Sequence, residues 1–395
     1  MQFRQWRMLA VLLVLITMYP FAGRALDNGL ARTPPMGWNS WNKFACKGLN
    51  EQVIRETADT IAGNGMKDAG YQFINLDDCW QISRDENGNI VADASKFPSG
   101  IKALADYVHS KGLKIGLYTD VGTQTCAGRP GSMGHEYQDA KQWAAWGIDY
   151  IKVDWCHTLK GQNAEASYTL MRDAILASGR PIVFSICEWG SNTPWLWAGP
   201  VGNLWRATGD IQDCWDCKRT WGGNGITQIL DLMNGLQVYS GPGHWNDPDM
   251  LEVGNGGMTA DEDRAHFSMW ALFSAPLLVG NDVAHMSAET KSILLNKDVI
   301  AIDQDPAGVQ GHRVKRENGL EVWSKQLADG GRAVVLLNRS GAAAPIHVDW
   351  ADLGYPNHLS ATVRDLWSGK TANDQRGGYT AQVASHAAVM LRVMP

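Results

Sequence analysis

The chain has 395 residues, enough for one large domain with a smaller companion, and its 45% hydrophobic and 19% charged composition is that of a globular protein. A formal net charge of -6 leaves no basic footprint, which argues against nucleic acid as a partner. The 18 Trp and 42 Gly stand out. Indole faces can serve as platforms for the C–H faces of sugars, although burial in a core is the commoner use of any one Trp.

In chain order, the first feature is "MQFRQWRMLAVLLVLITMYPFAGRA" (1–25), in which Arg4 and Arg7 precede an apolar run and small residues follow up to Ala25. This is the layout of a signal peptide cleaved after Ala25, and the run is too short for a membrane span. The mature protein is therefore expected to be exported, to a periplasm or out of the cell, and to have no membrane partner after cleavage. Export permits disulfides, and seven cysteines leave one unpaired.

From about residue 30 a short apolar run, a polar residue at its C-terminal end, a loop and an amphipathic helix recur. The runs are "PMGWNSW" (35–41), "YQFINLDDCW" (71–80), "LKIGLYTD" (113–120), "YIKVDWC" (150–156), "PIVFSICEW" (181–189), "NLWRATGD" (203–210), "GHWNDPDML" (243–251) and "PLLVGND" (276–282). Strands alternating with helices in this number predict a (β/α)₈ TIM barrel over 26–305, with a doubly wound sheet as the competing arrangement. The fifth helix is the weakest, because "NTPWLWAGPVG" is short and broken by Pro and Gly. Beyond about 306 the pattern changes to alternation and turns, such as "GLEVWSKQLADGGRAVVLLNRS", and predicts a C-terminal antiparallel β-sandwich over 306–395.

Polar residues at the C-terminal ends of barrel strands face the active-site mouth. They are Trp38, Asp77, Asp78, Tyr118, Lys152, Asp154, Glu188, Arg206, Asp210, Asp247 and Asp249. Within 150–156 the strand period of two puts Ile151, Val153 and Trp155 on the helix side and Lys152, Asp154 and Cys156 on the mouth side. A cleft with several carboxylates, one Lys and one Arg suits glycoside hydrolysis, in which one carboxylate attacks the anomeric carbon and another protonates the leaving oxygen. Lys152 beside Asp154 favours its anion and a nucleophilic role, and Asp210 among other acids suits the proton donor. Asp154, Glu188 and Asp210 also close consecutive strands, as the metal triad of an enolase-type barrel does, with Lys152 as base. A sugar-binding protein without catalysis would keep the hydroxyl-binding acids but lose one of the two catalytic carboxylates, and both are present.

The same arithmetic pairs the cysteines. Cys46 follows strand 1 and Cys79 ends strand 2; Cys126 follows strand 3 and Cys156 ends strand 4, so bridges 46–79 and 126–156 would tie adjacent loops at the mouth. "CWDC" closes a third bridge between Cys214 and Cys217, unless it is redox-active or binds metal, and Cys187 is left as a buried thiol.

"PPMGWNSWNKF", "YQFINLDDCW", "YIKVDWC", "CEWG", "WRATGDI" and "GHWNDPDML", in this order, resemble the α-galactosidases of glycoside hydrolase family 27 over nearly the whole mature chain. The resemblance implies a retaining mechanism through a covalent galactosyl-enzyme, without metal or organic cofactor, acting on α-galactosides. It implies Asp154 as nucleophile and Asp210 as general acid/base. It also implies that Trp38 lines the galactose pocket, that Asp77 and Asp78 bind O4 and O6 beside Tyr118, and that Lys152 bridges O3 and O4. Glu188 and Arg206 are implied at O2, with Asp249 near O2 or the acid/base. Trp189 fills the space that N-acetylgalactosaminidases open with small residues. Both acids of the "DD" pair stand, whereas members acting on β-L-arabinopyranosides alter one. The departures are "CWDC" and the unpaired Cys187, and neither the oligomeric state nor the preferred aglycone is indicated.

Overall fold

A computed structural model describes residues 26–395. The expected signal peptide, residues 1–25, lies outside the described residues. Among the described residues no helix is long and apolar enough to cross a membrane.

Eight parallel strands form one sheet: β1 (Met36–Asn39), β2 (Phe73–Asn75), β3 (Lys114–Asp120), β4 (Tyr150–Asp154), β5 (Val183–Ile186), β6 (Leu204–Arg206), β7 (Trp245–Asp247) and β8 (Leu277–Val279). They pair in chain order from β1 to β7, and β8 pairs with β1, Met36 opposite Leu277. The barrel closes just beyond β7. Leu251 donates to the Leu278 carbonyl at 2.8 Å and accepts from the Gly280 N–H at 2.9 Å. The barrel expectation holds and the doubly wound alternative does not.

Strand parity explains how each strand serves two environments. Tyr150 joins Phe73, Val183, Leu204, Trp245, Met250 and Leu278 in a cluster that fills the barrel interior. Ile151 and Val153, on the other parity, belong to the core between sheet and helices. Lys152 and Asp154 return to the inner face one and two steps above Tyr150, where the plug ends and the mouth begins. Pairing of Tyr118 with Lys152 and of Asp120 with Asp154 sets these side chains at common heights on neighbouring strands.

Helices Glu51–Gly63, Gly100–Ser110, Glu136–Trp146, Ala164–Ala177, Ile226–Met233 and Ala260–Phe273 cover the barrel. After β5 there is only the 3₁₀ turn Pro194–Leu196, as the broken sequence there indicated. The sequence reading missed a hairpin after β2 (Gln81–Arg84 with Ile90–Ala92). Its strands, of four and three residues, are too short to show a periodicity.

The C-terminal unit has a six-stranded antiparallel sheet and a two-stranded one facing a shared core that includes Val334, Leu336, Ile346, Val348 and Trp350. Its strands include β9 (His312–Glu317), β10 (Leu320–Gln326) and β11 (Arg332–Asn338), the last two flanking the "ADGG" turn. β9 and the edge strand Thr371–Arg376 carry charged, exposed residues and were not anticipated. Helix Ala260–Phe273 is buried over almost its whole circumference because barrel and sandwich both pack on it. Phe273 meets Trp323 of β10 edge-to-face at 5.7 Å, and the Trp367 indole N–H donates to Ser268 Oγ at 2.9 Å.

This shared helix couples the two units. Phe273→Ala is expected to cost about 3–5 kcal/mol, typical of a buried Phe truncation. Urea unfolding followed by tryptophan fluorescence and far-UV circular dichroism should show one transition moving as a whole. Early loss of the sandwich with an unshifted barrel transition would contradict the coupling.

Candidate active site

The C-terminal ends of the strands open into a cavity of about 540 Å³. Asp77, Asp78, Tyr118, Lys152, Asp154, Trp189, Arg206, Asp210 and Asp249 all line it. Apart from Trp38 and Glu188, every sequence-expected substrate or catalytic residue is therefore at one site.

Two cations organise the floor. Lys152 Nζ lies 2.9 Å from Asp77 Oδ2, and Asp77 also accepts from Asn39 Nδ2 at 2.9 Å and, through Oδ1, from the Asp78 N–H. The direct ion pair of Lys152 is with Asp77, and its charge also favours the Asp154 anion, as expected. Arg206 Nη2 lies 2.8 Å from Asp249 Oδ2 and 3.0 Å from Asp210 Oδ1. Burial opposes both charges, but the acidic neighbours, Asp77 for Lys152 and Asp249 for Arg206, outweigh it and hold both cations firmly protonated.

Asp154 is enclosed between these groups. Its Oδ2 accepts from the Tyr118 hydroxyl at 2.9 Å and its Oδ1 from the Trp155 N–H at 3.0 Å. Burial pushes its pKa up to about 6; Lys152 and the Tyr118 hydrogen bond oppose that rise, and the Asp210 charge adds to it. Asp210 is the outermost of these acids, its side chain 45% exposed against 5% for Asp249. Its ion-pair partner is Arg206, which it shares with Asp249, so it sits among other acids as expected.

Two expectations are corrected. Trp38 is fully buried on the helix side of β1, donates to the Asn281 carbonyl at 2.8 Å and does not line the cavity. Trp41 lines it instead. Glu188 is also fully buried and outside the lining, because its Oε2 turns back to cap Asn192 through the backbone N–H and the side-chain amide. Trp189 adopts a left-handed φ of 57° and brings its indole to the cavity. Such backbone strain in a bulky residue persists only where the surroundings enforce it.

Several residues escaped the sequence reading. Asp120 ends β3 fully buried, accepting from the Gly122 and Cys156 N–H groups at 2.6 and 2.7 Å, and burial pushes its pKa to about 8. It holds adjacent loops together, and "YTD" at a strand end was the available signal. Glu252 lines the outer cavity beside Asn42 and Asn255, with its pKa raised by burial to about 8. The bridges Cys46–Cys79, Cys126–Cys156 and Cys214–Cys217 are all present, and Cys187 is a buried free thiol.

Among the described residues, the metal-compatible cluster is Asp120, Cys126, Asp154 and Cys156. Its two sulfurs are joined in a disulfide, so they offer no thiolate ligands. The Asp154–Glu188–Asp210 triad of the enolase-type reading is not assembled, since Glu188 faces Asn192.

With this geometry in view, sequence comparison is decisive. The family described as alpha galactosidase A matches residues 33–305, and its C-terminal beta sandwich domain matches 317–393. The chain belongs to the α-galactosidase family. It is 53% identical to an alpha-galactosidase of Cyamopsis tetragonoloba over 93% of this chain and 88% of that protein. Its structure superposes on alpha-galactosidase I of Mortierella vinacea with a TM-score of 0.90, at 39% identity over 93% of this chain and 98% of the other. The Saccharomyces cerevisiae α-galactosidase solved with raffinose gives a TM-score of 0.86, at 33% identity over 93% and 99% of the two chains.

Within this α-galactosidase-family site, ionised Asp154 should cost stability. Its carboxyl binds a proton more tightly folded (about 6) than unfolded (3.8), so the native state loses stability as pH rises through that window. Asp154→Asn removes the penalty and is expected to be more stable than the parent at pH 7 by up to about 3 kcal/mol. The gap should close below about pH 4. Urea titrations at both pH values check this, and a variant less stable than the parent at pH 7 contradicts it.

Proposed function

We propose that the chain is a retaining, exo-acting α-galactosidase that releases terminal α-D-galactosyl residues from oligosaccharides, galactomannans or glycoconjugates by double displacement. The observation that carries the reading is the pairing, in one cavity, of an enclosed carboxylate braced by Tyr118 with an outer carboxylate held by Arg206. Asp154 attacks the anomeric carbon from the floor, where a buried, poorly solvated carboxylate is a strong nucleophile once ionised. Asp210, outermost, reaches the glycosidic oxygen, protonates it as the bond breaks, and then deprotonates the water that hydrolyses the galactosyl ester. Asp77, Asp78 and Lys152 present acceptors and a donor to the hydroxyls on one side of the ring; Arg206 and Asp249 do so on the other.

Galactose is favoured over the related sugars by two features. Both Asp77 and Asp78 are at the cavity, fitting a sugar that carries both O4 and O6 hydroxyls. Trp189 occupies the lining, leaving an N-acetyl group less room at the 2-position. The yeast relative solved with raffinose supports an α-galactosyl oligosaccharide as substrate. Export through the 1–25 leader is part of the proposal, and the three bridges fit an oxidising compartment.

The acid limb of kcat/KM on an α-galactoside reports Asp154 in the free enzyme. Activity should fall about tenfold per unit as pH drops below about 6, because the protonated carboxyl cannot attack. A profile flat from pH 6 to pH 4 would contradict this assignment. Asp154→Gly should lose activity by about 10³-fold or more and recover it with added azide, which fills the vacated space as nucleophile. Absence of rescue in an otherwise folded variant, or retention of most activity, removes Asp154 from that role. Dialysis against a chelator should leave activity intact; its loss and restoration by a divalent ion would favour the enolase-type reading.

A further inference from the structure

The cavity extends outward beyond the floor acids, and one feature of that outer part serves no role described so far. Trp221 is 62% exposed, yet it lines the same cavity as Asp154 and Asp210. A large exposed indole bordering a polar cleft marks a contact surface more readily than a packing residue.

The loop that carries it starts at Asp210 and is tied down at several points. Asn224 donates to the Asp210 carbonyl and accepts from the Gln212 N–H, each at 2.8 Å. Gly225 donates to the Cys217 carbonyl at 2.6 Å, and the Cys214–Cys217 bridge closes the segment between them. Two glycines permit close approach. A Cβ on Gly209 would lie 2.5 Å from the Gly222 carbonyl oxygen, so the loop folds back against the residue before Asp210. A Cβ on Gly223 would lie 2.7 Å from the Trp221 ring, so the indole lies across bare backbone. Trp221 is thus presented in one orientation by a braced loop, with its contact cost in ordering reduced beforehand.

Position relative to Asp210 gives this indole its use. If Asp210 protonates the leaving oxygen, the leaving group lies on the outer side of that carboxyl, over the loop that begins there. Gln212 and Asp213, also in the lining, supply polar groups on the same wall. A flat apolar face flanked by an amide and a carboxylate matches a pyranose ring, which has a C–H face and a rim of hydroxyls.

We propose that Trp221 forms the leaving-group subsite and stacks on the sugar ring next to the scissile bond, so that the chain prefers galactosyl oligosaccharides to galactosides with small leaving groups. The proposal rests on the α-galactosidase reading above. Two substrates separate them: melibiose, whose leaving group is a sugar, and α-galactosyl fluoride, whose leaving group offers nothing to stack. Trp221→Ala is expected to lower kcat/KM on melibiose about tenfold and to change that on the fluoride by less than about twofold. Trp221→Phe should fall between parent and Ala on melibiose. The fluoride rate also shows that the variant is folded and its floor intact. Equal losses on both substrates, or no loss on melibiose, overturn the subsite alone. A parent chain inert on α-galactosyl fluoride overturns the α-galactosidase reading and the subsite with it.

Discussion

Two buried cations set among carboxylates are the constraint on which the rest of this structure depends. Lys152 is paired with Asp77, and Arg206 with Asp249 and Asp210, at the end of a barrel whose acids Asp77, Asp78, Asp120, Asp154, Asp247 and Asp249 are all nearly inaccessible. Removing so many charges from water is costly unless each finds partners. Part of that cost is met by backbone N–H donors: Ala127 and Cys79 to Asp78, Gly122 and Cys156 to Asp120, Ile211 and Met250 to Asp249. The loops therefore hold the site acids and are held by them. What remains uncompensated appears as raised carboxyl pKa values, about 6 for both Asp154 and Asp247. Stability given up in this way is expected where a site is organised for charge in a transition state.

The scaffold concentrates its rigidity where that cost is incurred. Aromatic and aliphatic side chains plug the barrel beneath the floor from which Lys152 and Asp154 rise. Above the floor, Cys79, Trp189 and Asp249 all take left-handed backbone conformations, with φ of 76°, 57° and 91°. The bridges Cys46–Cys79 and Cys126–Cys156 tie neighbouring loops of this rim. The sandwich packs on the helix before β8.

Much of this was legible in the sequence because barrel strands obey a period of two. In 150–156 the alternation alone separates Ile151 and Val153 from Lys152 and Asp154, and the spacing of cysteines along the strands indicated the bridges. Reading failed where the period stops. Trp38 keeps strand parity and packs against helices, while Trp41 lies beyond the end of β1, where no alternation predicts direction. Glu188 lies two residues beyond the end of β5, where its carboxylate turns to Asn192, while Trp189 reaches the cavity as expected. Contacts between distant segments leave no local trace either, such as Lys152 with Asp77, 75 positions apart. The outward position of Asp210 and the exposed face of Trp221 depend on how the loop after β6 folds back, which its Gly-rich, Cys-bridged sequence does not specify.

The central claim is that Asp154 forms the covalent galactosyl-enzyme. It is tested most directly by incubating the protein with a fluorinated galactosyl fluoride that forms the ester quickly and releases it slowly, followed by peptide mass mapping. The account predicts a single adduct of one fluorogalactosyl group on the peptide containing Asp154, with loss of activity in parallel. Inactivation with the label on another residue, or turnover whose first-formed product is β-galactose, would contradict it.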